Sequence, residues 1–170
     1  MGALLLPYKP DSVFEFGCCA GKNLKYLRSI LPDAELAGID INMGAILYAR
    51  ETGVDAVLGD DRVLGLIGDD RFNVSFTISV LDHLPYPVDA LKHLVRISRK
   101  AVILCEPWLG KEGKVVRNVT PTGTVTDTTP YSYSWDYKRL LEDLGLPFSL
   151  SEVDMYSNLG RYYMFYVITP

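Results

Sequence analysis

Cysteine and histidine are scarce in this 170-residue sequence, and what is missing narrows its class. The three cysteines, Cys18, Cys19 and Cys105, form an odd set with two adjacent. Such a set excludes a disulfide framework and points to a reducing, cytoplasmic compartment. The two histidines, His83 and His93, with no Cys-x-x-Cys pair, supply no ligand set for a structural zinc ion, so no metal is expected. Basic excess is also missing: Lys and Arg number 17 against 21 Asp and Glu, for a net charge of −4 and a pI near 5.1. Nucleic-acid binding demands a basic footprint, so no nucleic-acid partner is expected. No apolar run approaches the roughly 20 residues of a membrane span, so no membrane partner is expected either. The opening Met1 to Leu6 is too short for a signal peptide and lacks a basic start.

What is present is globular. Apolar residues make up 48% and charged residues 22%, enough for one domain, 1–170, with a full core. Strand-like apolar runs alternate with helical patterns. Ser12 to Phe16 reads as a strand closed by Gly17. Gly21 opens a helix with Leu24, Leu27 and Leu31 on one face, stopped by Pro32. Glu35 to Ile39 reads as a second strand ending at Asp40, and Met43 to Glu51 as a short helix. Asp55 to Leu58 is a very short third strand ending at Gly59-Asp60. Phe72 to Val80 reads as a buried central strand, and Val88, Leu91, Leu94 and Val95 recur at helical spacing. Ala101 to Cys105 is a fifth strand, ended by Glu106-Pro107. Continuous apolar strands separated by helices imply a parallel sheet covered on both faces.

The last third differs. Lys111 to Pro130 is irregular and threonine-rich, with room for short β pieces. Trp135 to Leu144 reads as a helix with Ser134 as its N-cap. Phe148 to Tyr156 and Tyr162 to Ile168 read as two strands of a hairpin joined through Ser157 to Gly160. Arg96, Arg99 and Lys100 read as solubilising residues.

Three candidate site features follow successive strands. Glu15 to Gly21 is a strand running through a Gly-rich turn into a helix, whose free N–H groups favour a negative or polar ligand group. Asp40 stands 19 residues after Gly21 and can accept both hydroxyl hydrogens of a ribose. The Gly59-Asp60-Asp61 turn offers carboxylates to the exocyclic amine of an adenine. Taken singly, these also read as a ligand-free turn, an N-cap aspartate and a surface turn. Together they match three parts of one nucleoside ligand.

On these motifs the chain resembles the class I S-adenosylmethionine-dependent methyltransferases. Val13 to Leu24 resembles the family's first motif, Gly38 to Asn42 its ribose-binding strand end, Leu58 to Asp61 its adenine-binding turn, and Phe72 to Pro85 its fourth strand and following segment. The resemblance implies an α/β fold, a three-layer αβα sandwich. Its Rossmann-like, mostly parallel seven-stranded sheet would end in a C-terminal antiparallel hairpin. It implies methyl transfer from S-adenosylmethionine, with S-adenosylhomocysteine as product. Cofactor-binding residues would be Glu15, Gly17, Cys18, Cys19, Gly21, Asn23, Asp40, Ile41, Gly59, Asp60, Asp61, Ser79 and Val80. An acidic Glu15 before the turn suits the cofactor's ammonium better than the pyrophosphate of a dinucleotide.

Two departures stand out. Cys19 replaces the family's middle glycine and would crowd the cofactor. About a dozen residues precede the first strand, where relatives carry helices that help close the site, so the N-terminal helices read as short or missing.

For methyl transfer the protein mainly aligns donor and nucleophile and excludes water; a base is needed only where the acceptor must lose a proton. The catalytic candidates are His83 and Glu106. Acceptor-binding candidates are Asp82, His83, Trp108, Tyr131 and Tyr133. A small-molecule acceptor is favoured over a protein. The alternatives are a non-catalytic, cofactor-binding partner subunit and an NAD-binding Rossmann enzyme.

Overall fold

The computed structural model describes residues 1–116, 131–156 and 161–170. Seven strands form one sheet in the order β3-β2-β1-β4-β5-β9-β8. They are β1 (Ser12–Phe16), β2 (Glu35–Asp40), β3 (Asp55–Leu58), β4 (Phe72–Ile78), β5 (Ser98–Trp108), β8 (Phe148–Tyr156) and β9 (Arg161–Ile168). Strands β1 to β5 run parallel, whereas β9 pairs antiparallel with both β5 and β8. The expected three-layer sandwich with a terminal antiparallel pair is therefore the observed one. Residues 157–160, where a hairpin turn was expected, lie outside the described residues.

Two apolar layers sandwich the sheet. On one face Leu5 of α1 (Gly2–Leu5), Leu24 and Leu27 of α2 (Lys22–Ile30), and Ile46 and Ala49 of α3 (Met43–Glu51) pack on Val13, Leu36 and Ile103. On the other, Leu64 of α4 (Asp61–Leu64), Leu91 and Leu94 of α5 (Val88–Ile97), and Tyr137 and Leu141 of α6 (Tyr137–Asp143) pack on Phe14, Phe16 and Leu104. Every residue of β1 is buried, as a central parallel strand requires.

Several expectations need correction. The fifth strand is eleven residues long and runs through Pro107 to Trp108. Proline lacks the N–H of an interior ladder, but β4 ends at Ile78, paired with Cys105, so Pro107 pairs only with Tyr163 of β9. Ser134 is not a helix cap. It lies in β7 (Tyr131–Ser134), which pairs antiparallel with β6 (Gly113–Val116) as a separate two-stranded sheet. Asp136 caps α6, accepting a hydrogen bond from the Arg139 N–H at 3.0 Å. Arg96 is structural: its guanidinium donates to the carbonyls of Ile67 and Leu64 at 2.7 and 2.8 Å, tying α5 to the loop before β4. Lys100 is likewise held, donating to the Tyr8 carbonyl at 3.0 Å. Short helical pieces do precede β1. Gly2 of α1 faces Ile30, at the end of α2 remote from Gly21.

Candidate functional site

The sheet order reverses between β1 and β4, and a crevice opens beyond the carboxyl ends of strands at such a point. A cavity of about 450 Å³ lies there. Its walls combine the ends of β1 to β4: Phe16, Gly17 and Cys19; Asp40, Ile41 and Asn42; Gly59, Asp60 and Asp61; and Ile78 to Val80, with His83 and Leu84.

The turn after β1 is built for close approach. Gly17 has φ +78°, and a Cβ there would sit 2.2 Å from Val80 Cγ2. Only a residue without a side chain lets the β1 and β4 loops meet. Cys19 also has positive φ, +48°, and its exposed thiol lines the cavity. Its backbone N–H donates to Asp40 Oδ2 at 2.8 Å, while the Asn42 N–H donates to Asp40 Oδ1 at 2.8 Å. Two main-chain donors thus fix the Asp40 carboxylate on the cavity wall. Cys18 is buried, and burial followed by the nearby Glu15 and Asp40 carboxyls pushes its thiol up to about 12, which excludes a reactive thiolate.

Glu15 sits beneath this turn, 1% exposed. Its Oε1 accepts a 2.6 Å hydrogen bond from the Asn23 amide, and its Oε2 has no partner among the described residues. Burial raises its carboxyl to about 8; the Asn23 hydrogen bond opposes the rise and Asp40 adds to it. Asp60 does double duty: its Oδ1 caps α4 by accepting the Arg62 N–H at 3.1 Å, and its Oδ2 pairs with the Arg62 guanidinium. Arg62 holds its carboxyl below the ordinary range.

The segment after β4 forms a further part of the wall. Ser79 has φ +53°. Its hydroxyl donates to Asp82 Oδ1 at 3.3 Å and accepts from the Tyr163 hydroxyl at 3.3 Å. His83 is half exposed on the wall, with Nε2 3.7 Å from Asp82 Oδ1. Asp82 and Glu106 are both fully buried and do not line the cavity. Glu106 accepts from Thr77 Oγ1 at 2.6 Å and from the Val80 N–H at 3.1 and 3.2 Å. Burial raises its carboxyl to about 8, against the Thr77 hydrogen bond, and Asp82 contributes to the rise.

The acceptor-wall candidates are more scattered. Trp108 packs against the core, and Tyr133 stacks on Trp135 with ring centroids 5.4 Å apart. The Trp135 indole donates to the Leu84 carbonyl at 3.0 Å, which brings the β7 end beside the cavity rim. The Tyr131 side chain lies outside the described residues. Sequence reasoning missed Phe16, Ile78, Asn42 and Leu84 as wall residues and missed the Thr77–Glu106–Val80 network. Ile78 and Leu84 bracket the chosen segment and were the available signal.

The residues present fit S-adenosylmethionine. Carboxylates that could accept hydrogen bonds from a ribose and an adenine stand at two strand ends. A buried carboxyl oxygen with no partner among the described residues lies by the Gly-rich turn, and no described Lys or Arg lines the cavity. A pyrophosphate would meet three carboxyl groups there, those of Asp40, Asp60 and Asp61. A family model described as a methyltransferase domain matches residues 14–105, more than half of the chain. The chain belongs to that family. Within it, this methyltransferase domain has the class I, Rossmann-like fold of the S-adenosylmethionine-dependent enzymes.

A SAM dependent methyltransferase from Aquifex aeolicus superposes with a TM-score of 0.69 at 16% identity, covering 99% of this chain and 89% of that one. The PH0226 protein from Pyrococcus horikoshii OT3 gives 0.74 at 20%, covering 99% and 87%. The N-terminal domain of EvdMO1, solved with SAH bound, gives 0.71 at 15%, covering 99% and 78%. At these identities the likeness is one of fold. No curated protein matches the chain. No helix among the described residues is long and apolar enough to cross a membrane, and no described group of His, Cys, Asp and Glu could hold a metal ion.

Proposed function

We propose that this methyltransferase domain is a catalyst that moves a methyl group from S-adenosylmethionine to a small-molecule acceptor. The observation that carries the reading is the meeting of three strand ends at one switch-point cavity with His83 on its far wall. Asp40 and Ile41 would hold the ribose, and Gly59, Asp60 and Asp61 the adenine. Glu15, Asn23, Gly17, Cys18, Cys19 and Gly21 would hold the amino-acid end, with Ser79 and Val80 closing over it. The cofactor supplies an activated sulfonium methyl, so the protein needs no nucleophile of its own. The chain's task is alignment and exclusion of water. His83 would take the acceptor proton where one must leave, and the buried Asp82 carboxylate faces the imidazolium that forms. Glu106 is enclosed and cannot touch an acceptor in this arrangement.

An acidic surface balance and a cavity of this size favour a small acceptor over a macromolecule. Three free cysteines, two of them buried, favour a reducing, cytoplasmic setting. The test is S-adenosylhomocysteine release on a panel of small hydroxyl, amine and thiol compounds, with wild type and His83→Asn compared. Turnover on a protic acceptor that falls about 10²-fold in His83→Asn supports catalysis through that base. Cofactor binding with no turnover on any acceptor favours a non-catalytic subunit instead.

A further inference from the structure

Glu106 ties together parts of the site that lie far apart in sequence. It stands on β5 and accepts from Thr77, one residue before the end of β4. Both its carboxyl oxygens receive the Val80 N–H. Val80 does two things. Its side chain fills the space that a Cβ on Gly17 would need, so it meets the Gly-rich turn. Its carbonyl accepts the His83 N–H at 3.0 Å, closing the turn Leu81–His83 that presents the histidine. One side chain thus fixes the backbone that shapes the cofactor side and the backbone that carries the candidate base.

We propose that Glu106 is a positioning residue. Its hydrogen bond to the Val80 amide holds Val80 against Gly17 and so sets the shape of the cofactor cavity. The inference rests on the cofactor-dependent reading above, and it assigns Glu106 no contact with substrate. It acts as a hydrogen-bonding group more than as a charge. Thr77, Val80 and the neighbouring Leu81 amide favour the anion, but burial beside Asp82 outweighs them, so a neutral carboxyl holds the amide near neutral pH. A glutamine side chain keeps one acceptor oxygen in the same place.

The test uses calorimetric titration of S-adenosylhomocysteine into the full chain, together with the NMR shift of the Val80 amide proton. Glu106→Gln is expected to bind within about three-fold of wild type, and Glu106→Ala at least about ten-fold more weakly. The Val80 amide signal should keep its hydrogen-bonded position in the glutamine variant and lose it in the alanine variant. Thr77→Val, which removes only the 2.6 Å hydroxyl contact, should weaken binding by an intermediate factor and serves where Glu106→Ala does not fold. Leu94→Ala, on the core face of α5, is a stability control that should lose melting temperature but not affinity. Wild-type affinity in Glu106→Ala or in Thr77→Val overturns the proposal. So does a glutamine variant as weak as the alanine one, because charge would then be the requirement. Failure of the wild type to bind at all would strike the cofactor reading, while the Val80 amide shift would still report whether Glu106 holds that turn.

Discussion

The two sides of the switch point solve the same problem differently. On the β1 to β3 side, groups read from short motifs reach the cavity directly: Gly17 and Cys19, Asp40, and Gly59 to Asp61. On the β4 and β5 side, the strongest chemical groups, Asp82 and Glu106, are enclosed and meet a cavity residue only as neighbours, Asp82 beside His83 and Glu106 on the Val80 amide. The contrast is sharpest between two glutamates. Glu15 and Glu106 are both buried, and burial raises both to about 8. Glu106 has its oxygens engaged by Thr77 and Val80; Glu15 keeps one without a partner. Burying a polar group costs unless it is hydrogen-bonded. The hydrogen-bonded glutamate fits a scaffold role, whereas the one with an open oxygen is the glutamate proposed to face the cofactor's amino-acid end.

The hardest blow to this arrangement strikes where its two sides touch. Gly17→Ala puts a Cβ 2.2 Å from Val80 Cγ2 at a φ of +78°. A loss of about 2–4 kcal/mol in denaturant unfolding is expected, with loss of S-adenosylhomocysteine binding. An unchanged midpoint would mean that the loops do not need to meet.

The two glutamates should also govern pH dependence. Each has a folded-state value raised from 4.5 to about 8, so the folded chain holds a proton that the unfolded chain releases. Their contribution is fully present below about pH 4.5 and is lost as pH rises toward 8, by up to about 1.4 kcal/mol per pH unit for each group. Glu15→Gln and Glu106→Gln should each flatten the urea-denaturation profile across that window. Bound S-adenosylhomocysteine should alter the Glu15 share more than the Glu106 share. Equal slopes in wild type and both variants would contradict the assignment.

Smaller effects sharpen the comparison. Cys19→Gly removes a side chain from a positive-φ position in the cavity wall. It should leave stability within about 1 kcal/mol of wild type and tighten S-adenosylhomocysteine binding by a few-fold in calorimetry. Tyr137→Phe, which deletes a buried hydroxyl without a hydrogen-bond partner among the described residues, should be neutral or stabilising by about 1 kcal/mol in thermal melts.

The same division explains what was legible in the sequence. Phe14, Phe16, Ile39, Val74, Phe76 and Ile103 declare their strands because a doubly covered parallel sheet needs unbroken apolar runs. Asp40 and Gly59, which line the cavity, could be picked out because each closes such a run. The turn carrying Asp82 was placed, but whether its side chain faces the cavity or the core depends on packing under Leu81 to His83. Glu106 read as a catalytic candidate just past a strand ending at Cys105, yet the strand continues through Pro107 to pair with β9 and encloses it. Ser134 looked like a cap because a helical pattern follows; its place in β7 depends on pairing with Gly113, far away in the chain. Long-range pairing decides such features, and local spacing does not record it.

The central claim is that the switch-point cavity is a site for S-adenosylmethionine and its product. Calorimetric titration of S-adenosylhomocysteine into the wild-type chain at neutral pH tests it most directly, with NADH and the Asp40→Ala variant alongside. One-to-one micromolar binding of S-adenosylhomocysteine is expected, weakened at least about 30-fold in Asp40→Ala, with no binding of NADH. Tight NADH binding, or S-adenosylhomocysteine binding indifferent to Asp40, would contradict it.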